Sequence, residues 1–77
     1  MMEEQDIMNA YYSRTAIEVF RFNRWQKAIP KDVSGDFGLN YVNLLILKPN
    51  GFPSQETEVI ARDEFASRLR KRTVDAS

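Results

Sequence analysis

The chain has 77 residues, no net charge at pH 7, and neither cysteine nor histidine. This composition excludes disulfide bonds and thiolate metal sites, and it removes the usual zinc ligands. The length fits one small domain, residues 1–77, whose thin core is commonly reinforced by association with another chain.

The N-terminal third carries the pattern of an amphipathic helix. Apolar or neutral residues recur at steps of four and three at Met8, Tyr12, Thr15, Val19, Phe22, Gln26 and Ile29. This spacing predicts one long helix over residues 3–29, which ends before Pro30. The β-branched and aromatic content of residues 15–22 leaves a strand as the alternative.

The length of this predicted helix indicates a binding surface. About 27 residues at ~1.5 Å each would span roughly 40 Å, whereas a compact chain of this size is roughly 30 Å across. Either the helix breaks near residues 13–15, or its apolar overhang is covered by another chain. We therefore predict a docking surface on the helix, with anchors at Tyr12, Val19, Phe22 and Trp25.

The middle of the chain predicts a β-hairpin. Residues 39–48 are the most apolar segment and are typical of a buried strand, with a short buried helix as the alternative. Pro49, Asn50 and Gly51 then supply the backbone geometry of a tight turn. The return strand is expected within residues 55–61.

The register of this hairpin follows from its turn. Pairing Lys48 with Phe52 would place Tyr41 opposite Val59. Because Pro53 has no backbone N–H to donate, the return strand is expected at the edge of the sheet.

The end of the chain predicts a short helix. Asp63 can cap a helix that runs from Glu64 to about Thr73, with Phe65, Ala66 and Leu69 facing inward. The alternative is a longer helix that begins at Ser54. The predicted fold class is therefore α+β, with a long N-terminal helix, a β-hairpin and a short C-terminal helix. The alternative is an all-α arrangement of three helices.

Two basic blocks, residues 14–31 and 68–72, indicate a second kind of partner. Basic residues interleaved with aromatic residues can follow a phosphate backbone and stack bases, although a solvated surface explains the same charges. The candidate nucleic-acid contacts are Arg14, Arg21, Arg24, Arg68, Arg70, Lys71 and Arg72.

The sequence offers little for catalysis. Without histidine or cysteine, acid–base chemistry would depend on carboxylates, lysines and tyrosines, and Glu56 and Glu58 stand without a partner motif. We expect no enzyme activity, cofactor or metal. The predicted function is a non-catalytic protein-interaction module of adaptor or inhibitor type that also forms homo-oligomers, with nucleic-acid binding as the alternative. No membrane segment is expected, and a cytoplasmic location is predicted.

Overall fold

The computed structural model describes residues 2–72 and shows a mixed α+β fold. The elements are α1 (Glu4–Ser13), β1 (Ile17–Arg21), β2 (Arg24–Ser34), β3 (Tyr41–Leu47), β4 (Pro53–Ala61), a 3-10 turn (Arg62–Glu64), α2 (Phe65–Arg68) and β5 (Leu69–Lys71). The predicted α+β class is confirmed, and the all-α alternative is wrong.

The predicted long helix is wrong beyond Ser13. Arg14 adopts a left-handed conformation with φ 55° at the C-cap of α1, which ends the helix. Residues 17–21 then pair along the whole of β1 with β2. The charge of Arg21 breaks the apolar alternation of a strand, but Glu56 neutralises it at 2.6 Å, so the strand preference of the β-branched residues prevails.

A two-residue turn joins β1 to β2. Arg21 pairs with Arg24, and the two residues between them, Phe22 and Asn23, have φ values of 53° and 60°. Two successive positive φ values are the signature of a type I′ hairpin turn, which sequences usually mark with Asn-Gly or Asp-Gly. Because phenylalanine occupies the first position, the sequence did not reveal this turn.

The described strands form one antiparallel sheet in the order β4-β3-β2-β1-β5. Alternate residues of the strands make its inner face, and both described helices add their buried side chains to the core on that face. The inner-face core contains Ile7 and Ala10 of α1, Phe65 of α2, and Ile17, Val19, Ala28, Val42, Leu44, Ile46, Ile60 and Leu69 of the strands.

The opposite side of the sheet, the outer face, is only partly covered by the described chain. Its apolar residues are exposed or partly exposed, namely Phe20, Trp25, Ile29, Tyr41, Leu45 and Val59. The fold is therefore two-layered, with helices on one side of the sheet and accessible apolar side chains on the other.

The β3–β4 hairpin confirms the predicted turn. Lys48 donates its backbone N–H to the carbonyl of Phe52 at 2.8 Å, and the return strand lies at a sheet edge as predicted. The predicted register is wrong beyond the first residues. A shift between Leu45 and Leu47 moves the later pairs by two residues, so Tyr41 faces Ala61.

The C-terminal helix is shorter than predicted. Ala61 precedes the 3-10 turn and Glu64 precedes α2, and neither side chain makes a capping hydrogen bond, so the predicted cap at Asp63 is wrong. Ala66 is exposed rather than inward-facing, and the alternative of a helix from Ser54 is wrong because Pro53–Ala61 form β4. The helix α2 ends at Arg68, because the chain continues into β5. The predicted helix end at Thr73 lies outside the described residues.

Arg68 fastens α2 to the sheet. Its guanidinium donates to the carbonyl of Phe20 at 3.0 Å, to Glu64 at 3.0 Å and to Glu58 at 3.2 Å. Burial alone would lower the pKa of Arg68, but the hydrogen bonds to Glu64 and Glu58 outweigh it and raise that pKa. One cation thus joins β1, β4 and the helical segment.

Candidate functional site

Four aromatic residues lie at one end of the sheet, which we call the aromatic end. The start of β2 lies beside the end of β3, since Ala28 pairs with Ile46. The β1–β2 and β3–β4 turns are therefore at the same end of the sheet. The aromatic end consists of Phe20, Phe22, Trp25 and Phe52.

Phe22 occupies the tip of the aromatic end. Its side chain is 76% exposed, and its φ of 53° is unusual for a bulky residue. The guanidinium of Arg21 lies 4.4 Å from its ring centroid. Residues held in this region of backbone space cost of order 1–3 kcal/mol and cluster at functional sites.

Trp25 is packed within its own chain. Its ring centroid lies 5.3 Å from that of Phe20, and the guanidinium of Arg70 lies 4.1 Å from its centroid. Arg70 is in turn fixed by Glu18 at 2.6 Å. Because one ring face already holds a cation, Trp25 offers a rigid apolar wall more than a free stacking surface.

Arg21 is buried next to the β1–β2 turn. Its side chain is only 7% exposed, and its Nη2 donates to Glu56 at 2.6 Å. Within residues 2–72, its Nε and Nη1 have no hydrogen-bond partner, and neither does the side-chain oxygen of Gln26. The guanidinium is thus neutralised by one carboxylate of the edge strand and lies against the Phe22 ring.

A cleft of about 260 Å³ opens between the two turns. Its lining consists of Glu18, Arg24, Trp25, Gln26, Lys27, Leu47, Lys48 and Pro49. Arg24 and Lys48 are exposed, and neither forms an ion pair with any residue from 2 to 72. The cleft therefore presents positive charge beside Trp25.

The structure brings together two of the four predicted anchors. Phe22 and Trp25 both lie at the aromatic end. Val19 is 0% exposed in the inner-face core, so its predicted contact role is wrong. Tyr12 is exposed on the last turn of α1, just before the start of β1, and thus lies far from the β1–β2 turn.

The predicted basic residues do not form one surface. Four of the seven are in ion pairs within the chain, at Arg21 with Glu56, Arg68 with Glu58 and Glu64, Arg70 with Glu18, and Lys71 with Asp6. Within the described residues, Arg14, Arg24 and Arg72 have no carboxylate partner. Arg14 ends α1 whereas Arg24 begins β2, so even these cations are dispersed.

The sequence reasoning missed Phe20 and Phe52. Phe20 is absent from the predicted anchors, whereas in the structure it pairs with Trp25 on the neighbouring strand. Phe52 follows the predicted tight turn, and the hairpin pattern could have indicated that it projects at the sheet end. The sequence did not predict the β1–β2 turn. That turn lies beside the β3–β4 turn and so brings Phe20 to the same end of the sheet as Phe52.

Three further observations concern metal sites, membrane spans and known proteins. Among the described residues, no three acidic side chains converge as a metal site, and no helix there has the length and apolar character needed to cross a bilayer. Comparisons with protein-family models, curated proteins and solved structures give no match to the chain. Support for a function therefore comes from the geometry of the chain itself.

Proposed function

We propose that the chain is a small, non-catalytic protein-interaction module of adaptor or inhibitor type that docks on another protein through the aromatic end. The anchors are Phe22 and Phe52, flanked by the wall of Trp25. This surface replaces the helix face expected from the sequence. The cytoplasmic location stays a prediction.

The observation that carries the proposal is the conformation of Phe22. A glycine or asparagine would adopt φ 53° at low cost, whereas phenylalanine there is strained. Its ring is mostly exposed, so burial within the monomer offsets little of that cost. A partner that buries the ring would account for both the strain and the exposure.

The charges around Phe22 indicate the chemistry of the partner. Arg24 and Lys48 are exposed at the same end of the sheet, and within residues 2–72 neither is neutralised by a carboxylate. Complementary charge steers association and disfavours wrong partners. The partner surface we propose is an apolar pocket rimmed by carboxylates.

Cations beside aromatic residues also favour a single-stranded nucleic acid as a second candidate. The internal ion pairs count against it, because strong polyanion binding requires several free cations on one surface. A fluorescent oligo-dT strand should remain unbound at about 50 mM salt, where electrostatic binding is still strong. Tight binding that weakens steeply as salt rises would favour this second candidate instead.

The test of the docking proposal uses two matched phenylalanine variants. The wild-type chain, Phe22→Asn and Phe37→Ala are used to capture partners from extracts of the native cell. Phe37 is the control, because it is 95% exposed in the β2–β3 loop at the opposite end of the sheet.

The expected result is one stoichiometric partner that is retained by wild type and Phe37→Ala. Binding of the purified partner to Phe22→Asn should weaken by about tenfold or more, the usual effect of removing a buried aromatic anchor. Equal binding by all three chains, or loss with Phe37→Ala alone, would overturn the assignment of the site.

A further inference from the structure

Two unpaired charges of opposite sign lie on the outer face of β2. In the backbone register of the sheet, Lys27 lies beside Glu18 of β1 and Asp32 lies beside Asn43 of β3. Both neighbours alternate with the inner-face residues of their strands, so Lys27 and Asp32 lie on the outer face. Within residues 2–72, neither forms an ion pair, although the Lys27 ammonium makes a long hydrogen bond of 3.4 Å to the carbonyl of Pro49.

A bulge brings Asp32 to this face. Residues 27 and 32 are an odd number of positions apart, so in a regular strand they would lie on opposite faces. The register of β2 shifts between Pro30 and Asp32, and this extra residue turns Asp32 outward. Bulges commonly re-aim a side chain in this way. Without the bulge, Asp32 would point toward the inner-face core.

The outer face is therefore self-complementary. Ile29 lies between Lys27 and Asp32 and is paired with Leu45 of β3, so an apolar centre separates the two charges. Tyr12 and Arg14 at the end of α1 border this centre on one side. A twofold axis that lies between the two sheets, parallel to them and perpendicular to the strands, would place Lys27 of one copy opposite Asp32 of the other.

We infer that two copies of the chain pack outer face against outer face, with Lys27 of each copy facing Asp32 of the other. Ile29 and Leu45 of both copies meet at the centre. The Glu18–Arg70 pair is neutral and lies toward the edge of the sheet, so it adds no repulsion. The resulting dimer has two sheets inside and two helical layers outside, as in other face-to-face sheet packings.

The size of the outer face suits such a dimer. Five strands, spaced about 4.8 Å apart, with about 3.4 Å per residue, give a flat footprint of roughly 500 Å². Because projecting side chains add accessible surface to this flat area, the area that each copy buries approaches the ~800 Å² per partner of a standard interface. Such burial would reinforce the thin core of a 77-residue chain.

This inference does not rest on the docking proposal. Phe22 lies in the β1–β2 turn, beyond the paired residues of the sheet, so packing of the outer face leaves the Phe22 ring accessible, whereas Trp25 belongs to both surfaces. Asp32→Lys changes a residue outside the docking cleft and should lose the dimer while partner binding stays intact, whereas Lys27 lines that cleft and cannot separate the two proposals.

The test uses charge reversal and mixing. The mass of wild type, Lys27→Asp, Asp32→Lys, the K27D/D32K double variant and an equimolar mixture of the two single variants is measured by light scattering and sedimentation. Circular dichroism of each variant checks the fold. The chain is used at about 100 μM, well above a micromolar dissociation constant.

Wild type is expected at twice the 9.0 kDa chain mass. Each single variant should dimerise at least about tenfold more weakly, because like charges then face each other. The double variant and the mixture restore opposite charges and should dimerise again. A monomeric wild type, single variants as dimeric as wild type, or a mixture without recovery would each overturn the inference.

Discussion

The guanidinium of Arg21 lies 4.4 Å from the centroid of the Phe22 ring, although the two side chains have opposite environments. Arg21 is buried against Glu56, whereas Phe22 projects from a turn. The buried cation lies against the exposed ring at the turn, which supports the proposed role of Phe22 as an anchor.

The sign of a stability change at Phe22 depends on the residue introduced. Phe22→Asn should raise the free energy of unfolding by about 0.5–1 kcal/mol, because asparagine tolerates a positive φ that phenylalanine adopts at a cost. Phe22→Val should lower it by about 1–2 kcal/mol, since a β-branched residue fits this region worst. Urea unfolding measures both, and equal losses would contradict the strained turn.

Two valine variants separate the core from the outer face. Val19→Asp should prevent folding, because it buries an unpaired carboxylate in the inner-face core. Val59→Asp should leave the chain folded, because that side chain is 57% exposed on the outer face. Circular dichroism and proton NMR dispersion distinguish the two, and a folded Val19→Asp would contradict the assignment of β1.

Removal of Arg68 should loosen the C-terminal segment. Arg68→Ala deletes the contacts to Phe20, Glu58 and Glu64, and we expect a loss of about 1–2 kcal/mol in unfolding free energy. The control is Arg62→Ala, which removes an exposed side chain and should change stability by less than about 0.5 kcal/mol. Hydrogen exchange of the β5 amides should accelerate in Arg68→Ala alone. Equal stability of the two variants would argue against the fastening role.

Two glycines should differ in the cost of an added methyl group. Gly51 has φ 90° and a Cβ there would meet no atom within 4 Å, so Gly51→Ala should cost only the backbone term of about 1 kcal/mol. A Cβ on Gly35 would lie 1.8 Å from the Gly38 carbonyl oxygen. Gly35→Ala should therefore cost more, because the loop backbone must move. Thermal unfolding of both variants checks the order.

Asp6 should make stability depend on acid pH. The backbone N–H of Glu3 and the ammonium of Lys71 lower the pKa of Asp6 below its ordinary value of 3.8. The unfolded chain therefore takes up this proton first, and the stabilisation present above pH 3.8 is lost as pH falls through the folded-state pKa. Asp6→Asn should flatten this dependence, whereas Asp36→Asn in the exposed loop should keep it. Identical pH slopes for the wild type and Asp6→Asn would contradict this assignment.

The sequence predicted the local features that depend on turn chemistry. Pro49 and Gly51 determine the β3–β4 turn through their own backbone preferences, and Pro53 confines its strand to an edge, so both were recognisable. The β3–β4 register was wrong because of the shift between Leu45 and Leu47. There the Ser54 hydroxyl donates to the Ile46 carbonyl at 2.7 Å, a contact that turn chemistry does not reveal.

The N-terminal third was wrong for a related reason. Over a short window, an amphipathic helix and a half-buried strand have apolar residues at many of the same positions. Arg21 interrupts the alternation of apolar residues that indicates a strand. Its neutralisation by Glu56, 35 positions along the chain, could not be inferred from local spacing. The predicted anchors Phe22 and Trp25 nonetheless lie together, at the β1–β2 turn instead of on a helix face.

The most direct test of the account compares two quantities for one variant, Phe22→Asn. We measure its urea unfolding free energy, and by calorimetry its affinity for the captured partner, against wild type. The account predicts that stability rises while affinity falls by about tenfold or more, because the strained ring serves binding and not folding. An affinity equal to wild type, or a loss of stability together with affinity, would contradict it.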